Sequence, residues 1–165
     1  MSSISIHQPI SNVDIQNKIN CKFILYSDMH KIHNIDELLP KTVILYELAK
    51  VGHFCCIFEN YELGVKTINF FDPLGLCVDD ELNLTSYDRR QRLNHNFTYL
   101  TRLLANQDKP VVYNEHNLQS KKTATCGHWV TIRLICSELP NDIFYNCFKN
   151  IIDRDKLIVK MYNSI

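Results

Sequence analysis

The strongest pattern in the chain is a series of β-type runs in its first half. Residues 42–48 (TVILYEL) are almost all β-branched, aromatic or aliphatic, which predicts a buried strand. Residues 53–59 (HFCCIFE) and 66–71 (KTINFF) predict two more, joined as a hairpin through residues 60–64. Residues 34–39, closed by Pro40, predict a short helix. The first twenty residues mix Ile, Asn, Ser and Gln without clear period and are expected to be an arm or a loosely packed edge. Asp72-Pro73-Leu74-Gly75 then breaks the third run as a turn.

Beyond that turn the period changes. From about Ser86, residues Leu93, Phe97, Leu100 and Leu104 fall on one face of a helix rich in Arg and Gln. Residues 111–113 predict a short strand and residues 114–125 a polar loop. Beginning near Cys126, the residues Trp129, Ile132, Ile135 and Cys136 predict a more buried helix that stops before Pro140. Asn141 is placed to cap a third helix carrying Ile143, Phe144, Cys147, Phe148 and Ile151. Strands flanked by helices predict an α+β class. With no internal repeat and no Ser/Gly linker, residues 1–165 are expected to form one domain.

Composition narrows the function classes. Lys plus Arg equals Asp plus Glu at 18 each, so the formal net charge is zero. That argues against wholesale attraction to nucleic acid or a membrane surface, leaving only local patches. No apolar stretch approaches the roughly 18 residues a membrane helix needs. Met1 to His7 lacks a basic region followed by an apolar core, so no secretory signal is expected. Seven Cys is an odd number and none forms a C-x-x-C pair, which suits reduced thiols. Neither a P-loop nor a G-x-G-x-x-G motif is present. Cys55 and Cys56 point to opposite sides of a strand, while Cys77, His95 and His116 lack paired zinc-ligand spacing. His30 and His33 supply two ligands at most. No metal or cofactor is expected.

Three stretches carry candidate chemistry: Gly52-His53-Phe54, Phe70 through Gly75, and Gln119 through His128. Cysteine catalysis needs a thiolate, and a helix N-terminus favours that anion. Cys126 lies where such an N-terminus is predicted. A histidine must pair with the thiolate and later protonate the leaving group, and a carboxylate must orient that histidine. His53 and Asp72 suit these roles if their strands are neighbours. The backbone N–H of Cys126 and the amide of Gln119, seven residues upstream, are candidate oxyanion donors. Each residue alone has a more ordinary role: strand-end histidine, turn aspartate, solvated glutamine, inert thiol. Together, in this order, they favour catalysis. His128, two residues from Cys126 on a helix, points nearly the opposite way and reads as structural.

This set resembles the adenovirus-type (adenain-like) maturation proteases, related to the SUMO-type proteases of ubiquitin-like proteins. The resemblance lies in Gly52-His53-Phe54, Phe71-Asp72-Pro73-Leu74-Gly75, Gln119 and Cys126-Gly127, in the order His, acid, Gln, Cys. The segment Leu45-Tyr46-Glu47 before Gly52-His53 is similar to members from virophages and related DNA viruses. The resemblance implies a mixed central sheet packed against the helix that begins at Cys126. It assigns Cys126 as nucleophile, His53 as general base and acid, Asp72 as its orienting group and Gln119 to the oxyanion hole. It further implies cleavage at Gly-containing sites in a narrow cleft walled by an aromatic residue. That residue is usually Trp after the histidine and is Phe54 here, without the indole N–H.

The expected activity is therefore a cysteine endopeptidase acting on a virion or capsid precursor, in the host cytoplasm, viral factory or virion. A DNA or peptide activator, as for the adenovirus enzyme, has no support in the sequence. The alternatives are a deconjugating isopeptidase for a ubiquitin-like modifier and a catalytically idle binding module.

Overall fold

In a computed structural model that describes residues 5–48 and 51–165, the β-type runs join one mixed sheet of five strands. These are β1 (Lys22–Leu25), β2 (Lys41–Glu47), β3 (Gly52–Glu62), β4 (Val65–Phe71) and β5 (Val111–Tyr113), side by side in chain order. The three central strands are antiparallel, and β1 and β5 are each parallel to the strand they flank. The hairpin between β3 and β4 turns on Leu63 and Gly64, both at positive φ, the backbone that a tight two-residue connection demands.

Among the described residues, six α-helices accompany the sheet: α1 (Asn12–Lys18), α2 (Tyr87–Arg92), α3 (Tyr99–Ala105), α4 (Cys126–Ile135), α5 (Asn141–Phe148) and α6 (Arg154–Asn163). Successive β3 residues feed different layers, as strand geometry requires. Phe54, Cys56 and Phe58 face the core formed with α1, α4, α5 and α6, which includes Ile15, Trp129, Val130, Phe144 and Ile158. Cys55 and Ile57 join the opposite core, with Tyr26, Met29, Tyr46, Leu100 and Leu104. The α+β class is as the sequence predicts. No helix among the described residues is long and apolar enough to cross a membrane.

Several local expectations change. Of the expected arm, residues 1–4 lie outside the described residues, but residues 12–18 are helical. A reciprocal cap at Ser11 and Asp14 starts α1, and Ile15 on its inner face is fully buried. The single helix expected from Ser86 is two, because Asn94 takes a left-handed backbone (φ 58°) and ends α2. Phe97 in the gap is exposed. Residues 35–38 wind as a 3₁₀ turn inside the expected helix. Asn141 is the first residue of α5 rather than its cap, and its side-chain oxygen accepts from Arg133. Ile151 falls beyond the helix end. The sequence reading contains no counterpart of β1 or α6.

Arg133 shows how the α4 face of the core is closed. Its guanidinium is fully buried, lies 4.5 Å from the Phe58 ring centroid and 4.9 Å from that of Phe144, and has no carboxylate partner among the described residues. Instead it donates to the Cys136 and Leu139 carbonyls, at 2.7 Å each, satisfying acceptors at the end of α4. Burial lowers its pKa to about 10, so it stays charged at neutral pH. Arg133→Ala leaves those carbonyls unpaired beside a cavity and is expected to cost about 3 kcal/mol or more in urea unfolding at pH 7. Arg133→Lys is expected to recover less than half of that, since one ammonium cannot replace a planar fork spanning both carbonyls.

Candidate active site

The site forms where the N-terminus of α4 meets the start of β3 and the end of β4. His53, second residue of β3, and Asp72, immediately after β4, are brought together because those strands are antiparallel neighbours. His53 Nε2 lies 3.0 Å from Asp72 Oδ1. A hydrogen bond with the Cys126 side chain also acts on the His53 ring. Since Nε2 is engaged with Asp72, Nδ1 is the ring nitrogen left for the sulfur. Burial alone would lower the His53 pKa. The bonds to Asp72 and Cys126, with the charges of Asp72 and Glu81, outweigh it and hold the imidazole well above its ordinary value.

Asp72 is wholly buried, and its surroundings explain why the Asp-Pro-Leu-Gly turn takes this form. Oδ1 also accepts the Leu74 N–H at 2.7 Å, and Oδ2 accepts the Cys55 thiol at 3.3 Å. The Asp72 main chain is gripped on both groups by the Asn114 side chain: its N–H donates to Oδ1, and its carbonyl accepts from Nδ2. The Gly75 N–H closes the turn onto the Asp72 carbonyl. Gly75 has a left-handed φ of 73°, and a Cβ there would stand 2.7 Å from the His116 carbonyl carbon, so no other residue fits without displacing backbone.

The same turn anchors the loop that carries Gln119. Both Leu118 and Gln119 donate their N–H to the Pro73 carbonyl at 2.9 Å. Gln119 is buried, and its amide Nε2 donates to the Thr123 carbonyl at 3.1 Å, leaving that nitrogen a second hydrogen. At the end of the loop, Thr125 precedes α4 but does not cap it. Its hydroxyl donates to Asp155 of α6. The same carboxylate takes the Ser120 N–H at 2.9 Å and the Trp129 indole N–H at 2.8 Å. With the threonine diverted, the first N–H groups of α4, those of Cys126 and Gly127, have neither an intrahelical acceptor nor a side-chain cap.

The remaining candidates are placed as follows. Phe54 is buried, meets Phe23 edge-on, and stands 3.4 Å from where a Cβ on Gly127 would be. His128 packs against the Tyr162 ring of α6, where burial lowers its pKa to about 4. Cys126 itself is only 7% exposed. One set of potential metal-donor atoms gathers among the described residues, those of His53, Cys55 and Asp72, all within 4.8 Å. Burial, with the charges of Asp72 and Glu81, pushes the Cys55 thiol well up, so it serves as a protonated donor to Asp72. That suits a hydrogen-bonded network better than a thiolate ligand set.

Asp155 was not expected from the sequence, and nor were two further positions that matter here. Asn114 enters because β4 and β5 run parallel with Phe70 opposite Tyr113, which carries the next residues of both strands onward together. Glu81 enters on a 3₁₀ turn, Asp80–Leu84, with Oε1 3.5 Å from His53 Nε2 and 1% of its surface exposed. Burial raises its pKa to about 7. His53 opposes that rise, and the charge of Asp72 adds to it.

Comparison with known proteins returns no matching family model and no matching curated protein.

Two outcomes are expected. Asp155→Asn loses the charge that serves three donors and is expected to destabilise the fold by about 1–3 kcal/mol. Amide exchange should accelerate at Ser120 through Cys126 before it does in β3. For Glu81, the folded pKa lies above the ordinary 4.5. Its favourable contribution is therefore complete below about pH 4.5, declines as pH rises, and is gone above about pH 7. Glu81→Gln, which mimics the protonated form, should leave the thermal midpoint at pH 4.5 almost unchanged and raise it at pH 8.

Proposed function

We propose that this chain is a cysteine peptidase, with Cys126 as nucleophile, His53 as general base and acid, and Asp72 as the group that orients His53. The observation that carries the reading is one buried imidazole engaged by Asp72 on Nε2 and reached by the Cys126 thiol, at the uncapped N-terminus of a helix. The order of motifs supports an adenain-like fold and a place among the viral maturation proteases that the sequence resembles.

The chemistry follows from the placement. In the proposed step the Cys126 proton passes to His53, so that the attacking species is a thiolate paired with the imidazolium. The thiolate attacks the scissile carbonyl carbon, and the electron pair of the C=O moves onto oxygen. The free N–H of Cys126 and the unspent hydrogen of the Gln119 amide are the donors available to that oxyanion. As the tetrahedral species collapses, His53 Nδ1 gives its proton to the departing amine, leaving a thioester on Cys126. A water then attacks the thioester, with His53 taking its proton, and the acid product leaves with the thiolate restored. Asp72 retains its hydrogen bond to Nε2 throughout and stabilises the charged ring in each half-reaction.

Substrate shape also has a physical basis. A nucleophile with 7% of its surface open admits an extended backbone more readily than a bulky side chain. That supports glycine beside the cleaved bond, while the sequence resemblance supports a virion or capsid precursor as the substrate class.

A thiol-reactive probe followed by mass-spectrometric mapping tests the reading directly. Cys126 should be modified fastest of the seven cysteines at a pH well below the ordinary thiol value of about 8.5. His53→Ala should slow this labelling, and on a Gly-containing peptide it should lower turnover by roughly 10²-fold or more. Cys126→Ala should abolish turnover. Labelling of Cys126 no faster than that of exposed Cys77 and Cys147 would overturn the assignment.

A further inference from the structure

The His53 site holds one carboxyl group more than a Cys-His-Asp arrangement uses. Asp72 already accepts the Nε2 proton at 3.0 Å, yet Glu81 Oε1 stands 3.5 Å from the same nitrogen. Neither Glu81 oxygen has a well-formed hydrogen bond among the described residues, although the side chain is almost wholly buried. A permanently ionised carboxylate in that position would be costly, and a permanently neutral one would only fill space.

Its position is not left to a loose loop. The preceding residue but one, Asp79, adopts a left-handed backbone (φ 65°) and is buried. Its carboxylate accepts from the Tyr46 hydroxyl at 2.9 Å and from both the N–H and hydroxyl of Thr101 at 2.8 Å. The turn carrying Glu81 is thus tied to β2 and α3, and Glu81 is held against the imidazole. The titratable groups facing it are His53 and Cys55 from β3, Asp72 from the end of β4, and Asp80 on its own turn. Cys126 of α4 acts on His53 as well, through a hydrogen bond.

Building on the peptidase reading, we infer that Glu81 is a switchable second carboxylate of the His53 site, a positioning residue that prolongs the imidazolium as the medium becomes alkaline. Protonated, it leaves Asp72 as the sole charge beside Nε2. When its proton is lost to solvent, two negative groups flank that nitrogen, and His53 releases its own proton less readily. Burial lifts the Glu81 carboxyl to about 7, which puts this change in the neutral range. Cys55 remains a neutral thiol there, and Asp80 is exposed, so its charge is screened by water. No bond to substrate is made by Glu81, and it acts only through His53.

The test compares wild type with Glu81→Gln, an isostere of the protonated form, by Cys126 labelling rate and peptide turnover across pH. The acid limb, where wild-type Glu81 is itself protonated, should stay in place. The alkaline limb should move to lower pH by about one unit or more, a tenfold change in proton affinity. A second measurement needs no activity. The His53 ring is titrated by NMR in Cys126→Ala and in Cys126→Ala/Glu81→Gln, and the second protein should hold the imidazole proton at least about tenfold more weakly. An activated Cys126 with both limbs unmoved, or a uniform loss at every pH with unchanged NMR titration, overturns the role of Glu81 alone. If Cys126 is not activated even in wild type, the peptidase reading falls and this inference falls with it.

Discussion

A carboxylate removed from water keeps its charge only where donors replace the solvent on each oxygen, and Asp72 is built around that demand. Its two oxygens take bonds from His53, Leu74 and Cys55, while its own N–H and carbonyl are held by Asn114 and Gly75. Stranding a buried charge would cost several kcal/mol, so each of those donors is under strong constraint. The constraint spreads outward. β3 must bring both His53 and Cys55 to one face, β4 must end at Phe71, and β5 must run parallel to deliver Asn114. The Pro73 carbonyl then takes two N–H groups of the next loop and sets the position of Gln119.

Asp155 makes the same demand on the opposite flank, with a different consequence. By taking the Thr125 hydroxyl, it removes the side chain that would ordinarily cap α4. By taking the Trp129 indole and the Ser120 N–H, it fixes the first turn of that helix against the loop before it. The helix end is thereby rigid and yet open to an anion, two properties that capping normally sets against each other. Site and core also share residues here. Cys126 lies in the same apolar cluster as Trp129 and Val130, so a loosened core would move the sulfur.

How much of this the sequence carried depends on the range of the interaction. The central strands and the start of α4 followed from local period and residue type, and so did the glycine-dependent turn at Asp72. His53 and Asp72 meet because their strands are neighbours, the condition on which the sequence pairs them. Glu81 and Asp155 could not be found that way. Each is an ordinary acid in a polar stretch, and only tertiary placement deprives it of water. Asn114 likewise depends on the register of two parallel strands. The helix break at Asn94 is legible only once its left-handed backbone is known, because a Leu-rich period runs straight through it. β1 was hidden for another reason: four residues at a sheet edge give too short a run to show alternation.

The first twenty residues show the same limit from the side of packing. They carry none of the proposed chemistry and no clear period, yet Ile6 and Ile10 among them pack against the start of α4. The Ile6 carbonyl accepts the Ala124 N–H at 2.9 Å, two residues before the sulfur. Ile10 lies so close to Gly127 that an added Cβ would sit 2.6 Å from its Cγ1. Gly127 is thus required by a contact made more than a hundred residues away in the chain. The helix gives up the better propensity of alanine at this position so that Ile10 and Phe54 can close on either side of it. α1 then pins that arm through the buried Ile15 and its reciprocal cap. A stretch that reads as an edge is in this way part of what holds the start of α4 in place.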